Sequence, residues 1–174
     1  KLFSEFEFSS LLAELGDDGG VISPAIESHY ETILIEADLE RWIEQLKKSE
    51  IFALDLETTS LHPVQARVVG ISLSCEAGVA CYIPLAHRYL GVPEQLDLDL
   101  VLKKLKPLLE DPKLKKVGQN IKYDLIVLSN EGVNLVGVAF DTMLASYILN
   151  PSGRRHNMDD MARDYLGHTT TKYK

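Results

Sequence analysis

Apolar and polar positions are most clearly ordered in residues 51–59, where an apolar run ends in two acids, Asp55 and Glu57. Alternate side chains of a β-strand point to the same face, so both carboxylates lie on one face and the larger apolar side chains point to the other. Ile51 and Ala53 precede the acids on their own face. The segment therefore predicts a central strand that is buried on both faces for most of its length.

These two acids have two interpretations. Carboxylates at the end of a buried strand are costly unless they are paired or bind a cation, and hard oxygen ligands suit Mg²⁺ or Mn²⁺. Alternatively, the strand has reached solvent at this point and the acids cap the turn at residues 58–60. An Asp-x-Glu pair is by itself a weak motif, so residues 55–57 alone leave both interpretations open.

The remaining pattern predicts an α/β fold. Strands are predicted at residues 30–35, 67–74, 79–84, 114–118 and 138–140. The short links between residues 51 and 84 indicate an antiparallel meander, and amphipathic helices separate the later strands. Pro107 predicts a kink or a break in the helix at residues 98–109. The predicted N-caps of the helices are Asp38, Asn120, Asp141 and Asn157.

Asp124 lies one turn after Asn120, at the start of a predicted helix. In an α/β sheet such a helix begins beside the carboxyl ends of the parallel strands, where Asp55 and Glu57 also emerge. An acid near a helix N-terminus is ordinarily explained by the helix dipole. Beside the other two acids, however, a metal-binding role for Asp124 is favoured. Asp141 is interpreted as a helix cap and not as a ligand.

Composition narrows the class of protein. A chain of 174 residues with 45% hydrophobic content predicts one domain of ordinary globular composition, with a possible appendage. The net charge of −8 argues against a broad basic surface for nucleic acid, but it does not exclude a nuclease that contacts its substrate through metal ions. No apolar run approaches the ~18 residues of a membrane span, so no membrane partner is expected.

Three further predictions concern the redox state of the cysteines, the role of the histidines and the structure of the first residues. Cys75 and Cys81 are expected to be reduced thiols in the cytoplasm, with a cross-strand disulfide as the alternative. None of the five histidines has a metal-ligand spacing, so all are interpreted as non-catalytic. Residues 1–28 include the acidic, glycine-rich stretch 16–20 and predict a linker that arrives from an upstream segment.

Several motifs together resemble a known family. Residues 55–58 (DLET) resemble the first exonuclease motif of proofreading nucleases with the ribonuclease H-like fold, and residues 120–124 (NIKYD) resemble the second. Residues 117–124, 140–150 and 155–162 are similar to the 3′–5′ exonuclease domain of the bacterial DNA polymerase I family (family A). The implied fold is α/β, with a ribonuclease H-like mixed five-stranded sheet flanked by helices (the DEDD exonuclease type).

This resemblance also implies a mechanism and a site. The reaction would be two-metal hydrolysis of the 3′-terminal phosphodiester of DNA, with Asp55, Glu57 and Asp124 as catalytic residues and ligands of two divalent cations, Mg²⁺ or Mn²⁺. The single-stranded 3′ end would be contacted by Thr58, Leu61, Gln119, Asn120, Tyr123 and Tyr173. The alternatives are an ordinary hydrophobe after a turn at Leu61, helix capping at residues 119–120 and a terminal aromatic at Tyr173.

The resemblance further implies a domain organisation. Residues 29–174 would be the exonuclease domain, joined through residues 1–28 to a 5′-nuclease domain and followed by a polymerase domain in the same nucleoid-associated polypeptide. The family's third motif, Tyr-x-x-x-Asp on a later helix, has no match after Gly167. We therefore expect these 174 residues alone to bind Mg²⁺ weakly and to show little or no nuclease activity.

Two other functions share some of these features. A related 3′–5′ exoribonuclease would share the acids but would not be expected to show the long matches in residues 117–162. A catalytically silent structural or DNA-binding module of a family A polymerase is the second alternative. The presence of Asp55, Glu57 and Asp124 together weakens that alternative.

Overall fold

The computed structural model describes residues 28–152 and 155–170, so the predicted linker lies outside the described residues except for its last residue. The strands in this part of the chain are His29–Thr32 (β1), Ile51–Thr58 (β2), Val68–Glu76 (β3), Val79–Pro84 (β4), Lys115–Gly118 (β5) and Val138–Asp141 (β6). The helices are Glu36–Lys48 (α1), Leu98–Leu109 (α2), Lys122–Asn130 (α3), Thr142–Leu149 (α4) and Met158–Leu166 (α5). The sheet and helices α1–α4 belong to one compact unit, and α5 belongs to a second.

The strands form one mixed sheet in the order β1-β4-β3-β2-β5-β6. β2, β3 and β4 make the predicted antiparallel meander, and the other neighbours pair in parallel. β2 lies in the interior of the sheet, as predicted. The strand predicted at residues 30–35 corresponds to β1, which pairs in parallel with β4 at the edge of the sheet. The five-stranded sheet that the resemblance implies is therefore wrong for the described residues, which form six strands.

One face of the sheet carries the hydrophobic core. Leu54 pairs with Leu73 and Leu56 with Ile71 across the β2–β3 ladder, and all four side chains are at most 7% exposed. Helix α1 packs against β3 and against α2. Its buried side chains are Leu39, Trp42, Ile43 and Leu46. Their i, i+3, i+4, i+7 spacing is that of a helix with one apolar face, as the sequence predicts.

The opposite face carries the acids, and it is only partly covered, contrary to the prediction for β2. Ile51 is 40% exposed, Asp55 is half-buried and Glu57 is exposed. In the ladder with β3, Asp55 lies beside Ser72 and Glu57 beside Gly70. Ser72 has only a small side chain on this face, and Gly70 has none. The acids therefore stand on a shallow surface and not between two packed layers.

The predicted helix caps have mixed outcomes. Asp141 accepts hydrogen bonds from the N–H groups of Met143 and Leu144, and Asn157 accepts one from Asp160, so these two caps are confirmed. Gly167 closes α5 in the left-handed conformation that glycine favours, with φ of 63°. These ends of α4 and α5 were predictable because each requires only a local residue pattern.

The predicted cap at Asp38 is wrong, and the break that was one of the two outcomes predicted at Pro107 does not occur. Helix α1 begins at Glu36, before Asp38, and the Asp38 carboxylate instead forms an ion pair with Arg41 at 3.3 Å. Helix α2 runs through Pro107 without a break. Pro107 stands in the last turn of α2, so the chain continues for only two further helical residues and a break there is unnecessary.

The prediction of unpaired cysteines agrees with the structure. Cys75 and Cys81 are free thiols, and Cys81 is buried, where desolvation raises its pKa to about 12. In the part of the chain that the structure describes, no helix is both long enough and apolar enough to cross a membrane.

Candidate active site

Asp124 approaches the two acids of β2 from the first turn of α3. The Asp124 side chain is only 3% exposed. It accepts a hydrogen bond from the backbone of Leu56, the residue between Asp55 and Glu57. The parallel pairing of β5 with β2 makes this approach possible, because it delivers the start of α3 to the carboxyl end of β2.

Burial and the negative charge of a neighbouring acid change the pKa values of Asp124 and Asp55. Burial raises the pKa of Asp124 to about 7, and the negative charge of Asp55 adds to the rise, although hydrogen bonds from the backbone of Asp124 and Leu56 oppose it. Burial also raises the pKa of Asp55, and the charge of Glu57 contributes. Among the described residues, no Lys, Arg or His forms an ion pair with any of the three acids.

Such a set of acids suits a divalent cation. Buried carboxylates with raised pKa values and no cationic side chain beside them gain most from a hard metal ion, which offsets both the repulsion and the desolvation. Within the described ranges, however, no three His, Cys, Asp or Glu side chains converge closely enough to form a complete ligand set. The metal-binding role of Asp55, Glu57 and Asp124 stays a prediction, which the donor chemistry of Asp55 and Asp124 supports.

A pocket of about 440 Å³ opens beside Glu57. Its walls are the end of β2, the loop that follows it and the start of α3. The residues that line it are Leu56, Glu57, Thr58, Thr59, Ser60, Leu61, Asn120 and Tyr123. This set contains most of the residues predicted to contact a substrate. Leu61 is 93% exposed, so this apolar side chain stands free at the edge of the pocket.

Hydrogen bonds hold the loop after β2 against α3. The hydroxyl groups of Thr58 and Tyr123 contact each other, and the Tyr123 hydroxyl also donates to the backbone carbonyl of Ser60. Thr58 donates to the same carbonyl over 3.2 Å. The network joins two segments of the chain and fixes the pocket's wall. Thr58 and Tyr123 therefore have a structural role in addition to the predicted contact with a substrate.

Asn120 does not cap α3, so this prediction is wrong. It adopts a left-handed conformation, with φ of 57°, and α3 begins at Lys122. The capping group is Asp141, whose carboxylate accepts from the N–H of Asn120 at 3.1 Å and of Ile121 at 3.0 Å. The sequence identified Asp141 as the cap of α4 only. Its second role was not predictable, because nothing local to residues 138–144 indicates the end of β5 beside it.

Gln119 and Tyr173 are the remaining residues predicted to contact a substrate. The Gln119 side chain donates to the backbone carbonyl of His156 at 2.8 Å and accepts from the hydroxyl of Thr142. Both ends of this amide therefore bond within the protein. Tyr173 lies outside the described residues, so its predicted contact stays a prediction.

Comparison with known families agrees with the motifs in this site. Residues 30–174 match a family model described as a 3′-5′ exonuclease. The chain is 47% identical over 183 aligned positions to DNA polymerase I of Pseudomonas aeruginosa. The alignment covers 99% of this chain but 20% of that protein. The chain thus spans about a fifth of the length of this relative.

Solved structures share the fold. Trypanosoma brucei RNase D superposes with a TM-score of 0.66 and 21% identity, covering 83% of this chain and 50% of that chain. Brucella melitensis NrnC with bound Mg²⁺ superposes with a TM-score of 0.59 and 20% identity, covering 86% of this chain and 66% of that chain. At these identities the likeness supports the ribonuclease H-like α/β fold, and says nothing about substrate.

Proposed function

The chain belongs to the 3′–5′ exonuclease family of bacterial DNA polymerase I, and we propose that it removes nucleotides from the 3′ end of single-stranded DNA. This family consists of metal-dependent hydrolytic nucleases. The observation that carries the proposal is the approach of Asp124 to Asp55, whose negative charge adds to the raised pKa of the buried Asp124, next to a pocket lined by Leu56 and Glu57. Asp55 and Asp124 come from the two motifs that define the resemblance.

Asp55, Glu57 and Asp124 are proposed to hold two divalent cations, Mg²⁺ or Mn²⁺, which supply a hydroxide nucleophile and stabilise the departing oxygen. In the overall reaction one water adds to phosphorus, the bond from phosphorus to the 3′ oxygen breaks, and a 5′-mononucleotide leaves. Glu57, exposed at the pocket, positions the water. Asp124 is buried, so its carboxylate would attract a bound cation more strongly than an exposed carboxylate would, because charge interactions are stronger in the protein interior than in water.

The pocket beside Glu57 is proposed to receive the 3′-terminal nucleotide. Leu61 packs against the terminal base, and Asn120 and Tyr123 present polar atoms to its sugar and phosphate. Thr58 supports Tyr123 through their hydroxyl contact. Gln119 and Tyr173 are further candidates for contact with the strand. Because aromatic and apolar contacts tolerate every base, this pocket would accept a mismatched terminus of any sequence.

The proposal also covers the domains that would accompany this one in the complete polypeptide. We infer a polymerase domain in the same polypeptide, a 5′-nuclease domain upstream of residues 1–28, and a place in the cytoplasm with the chromosome. A growing 3′ end that is wrongly paired would leave the polymerase site as a single strand and enter the exonuclease pocket. Through this transfer of the mispaired end, the domain would act as a proofreading exonuclease.

A direct test compares DNA with RNA in the complete polypeptide. Single-stranded DNA labelled at its 5′ end is expected to shorten stepwise from the 3′ end, to release mononucleotides and to require Mg²⁺ or Mn²⁺. Gel electrophoresis of a time course measures this. Faster shortening of the matched RNA would contradict the proposal and favour the alternative of a 3′–5′ exoribonuclease.

Replacing Leu61 with alanine is expected to lower the rate on single-stranded DNA about tenfold, since burying a leucine side chain against the terminal base is worth roughly 1.5–3 kcal/mol. The thermal midpoint should not change, because Leu61 is 93% exposed and packs against little. Val64→Ala is the matched control: Val64 is 75% exposed in the same loop and does not line the pocket. Equal rates for the two variants would rule out the contact at Leu61.

A further inference from the structure

A second pocket lies on the same face of the sheet as the carboxylates. Its volume is about 220 Å³, and its lining comes from β1, β4 and the loop after β4. The lining side chains that matter here are Thr32, Tyr82, Pro84, His87 and Tyr89. Thr32 pairs with Tyr82 in the β1–β4 ladder, so the two side chains share a face.

The strand register places this pocket next to the candidate active site. Pro84 pairs with Gly70, and Gly70 pairs with Glu57, so the three residues form one row across the sheet. The side chain of Tyr82 lies over Gly70: a Cβ added to Gly70 would be 1.9 Å from the Tyr82 hydroxyl oxygen. Strands are about 4.8 Å apart, so Pro84 is roughly 10 Å from Glu57.

The pocket is built in advance of any ligand. The Tyr82 hydroxyl and Nε2 of His87 are 2.5 Å apart, and the two rings meet edge to face at 5.7 Å. Gln95 fixes the His87 backbone twice, accepting from its N–H at 2.9 Å and donating to its carbonyl at 3.0 Å. A pocket held in this way loses little conformational entropy when it binds a ligand.

Tyr89 forms the open side of this pocket. Its ring lies 6.2 Å from that of His87 and is 61% exposed, so most of an aromatic face is free. Arg88 beside it is exposed, and no ion pair engages it in the described part of the chain. Exposed aromatic rings beside a free cation are the usual contacts of proteins with single-stranded nucleic acid.

Building on the proposed function, we propose that the pocket at Tyr82, His87 and Tyr89 binds a base of the single-stranded DNA on the 5′ side of the scissile phosphate. The 3′-terminal nucleotide occupies the pocket beside Glu57, so a base bound here belongs to an earlier nucleotide. A volume of about 220 Å³ is smaller than a typical ligand pocket of about 300–1,000 Å³ and suits a single base. Both pockets lie on one face of the sheet, with Pro84 roughly 10 Å from Glu57, so a single strand would reach both.

The test compares Tyr89→Ala with Leu90→Ala in the complete polymerase. Leu90 is the matched control, because it is adjacent, fully exposed and absent from the pocket lining. Two substrates are used: a short oligothymidylate, and the p-nitrophenyl ester of thymidine 5′-monophosphate, which has the scissile phosphate but no preceding base. We expect Tyr89→Ala to raise KM for the oligonucleotide about tenfold, as loss of one stacked base predicts. The rise for the ester should be much smaller, and Leu90→Ala should change neither.

Three results overturn the inference. The first is an unchanged KM for the oligonucleotide in Tyr89→Ala. The second is an equal loss on both substrates, which would mark damage to the catalytic centre. The third is failure of Tyr89→Phe, which keeps the ring, to restore KM. If the unsubstituted polymerase hydrolyses neither substrate, the proposed function itself fails, so the two failures are distinguishable.

Discussion

Asp55→Ala and Asp124→Ala are each expected to lower 3′–5′ digestion of single-stranded DNA by at least about 10²–10³-fold in the complete polymerase. Losses of that size follow when one charge-stabilising group is removed from a catalytic centre. Removing either carboxylate withdraws a proposed metal ligand, and with it both nucleophile activation and leaving-group stabilisation. Release of labelled mononucleotide measures the rate.

DNA synthesis should continue in both variants, because the proposed polymerase reaction uses a separate site. Primer extension on an undamaged template measures this second activity. Asp99→Ala is the matched control: like Asp124, Asp99 is an acid in the first turn of a helix, but it is exposed and does not line the pocket. Near-normal digestion by either Asp55→Ala or Asp124→Ala would show that these acids are not the catalytic pair.

The 174-residue chain without metal is expected to become less stable as pH rises from about 4 to about 7. Asp124 has a pKa of about 7 in the folded chain, against 3.8 for a free carboxyl. Between these values the folded state binds more protons than the unfolded state, so its free energy of unfolding falls with rising pH. At about 1.36 kcal/mol per pKa unit, the total is at most about 4 kcal/mol.

Asp124→Asn should remove most of this dependence, because the amide keeps an acceptor for the backbone N–H and carries no charge. We expect the variant to be more stable than the unsubstituted chain above pH 7 in a chelator, and about equally stable near pH 4. Urea unfolding across that pH range is the measurement, with Asp99→Asn as the control. Mg²⁺ should stabilise the unsubstituted chain above pH 7 and have little effect on Asp124→Asn. Parallel pH profiles for the two chains would contradict the raised pKa.

The sequence predicted those parts of the site that depend on short-range spacing. The position of Asp55 and Glu57 on one face of β2 follows from strand periodicity, and the caps at Asp141 and Asn157 follow from local hydrogen bonding. The central place of β2 also followed, because an apolar run of this kind belongs inside a sheet.

Features that depend on distant partners were not predictable. Asn120 has the composition of a helix cap, yet its left-handed conformation is set by Asp141, which arrives from β6. The partial exposure of Asp55 and Glu57 depends on which residues of β3 lie opposite β2. The second pocket requires Gly70 to leave room for the ring of Tyr82. Residues 68–84 show the alternation of inward and outward side chains, but this alternation does not predict where the Tyr82 ring lies.

The parallel pairing of β2 with β5 has a consequence for how the protein is made on the ribosome. Asp55 and Asp124 are separated by 124 − 55 = 69 positions. At about 5–20 residues per second, the second acid is synthesised roughly 3–14 s after the first. The local β2–β3–β4 hairpins can form in that interval, whereas the edge of β2 that later pairs with β5 stays bare. A nascent chain therefore carries only part of the proposed active site, together with an unpaired strand edge. A pause in translation between residues 59 and 114 would lengthen the time during which this edge can aggregate.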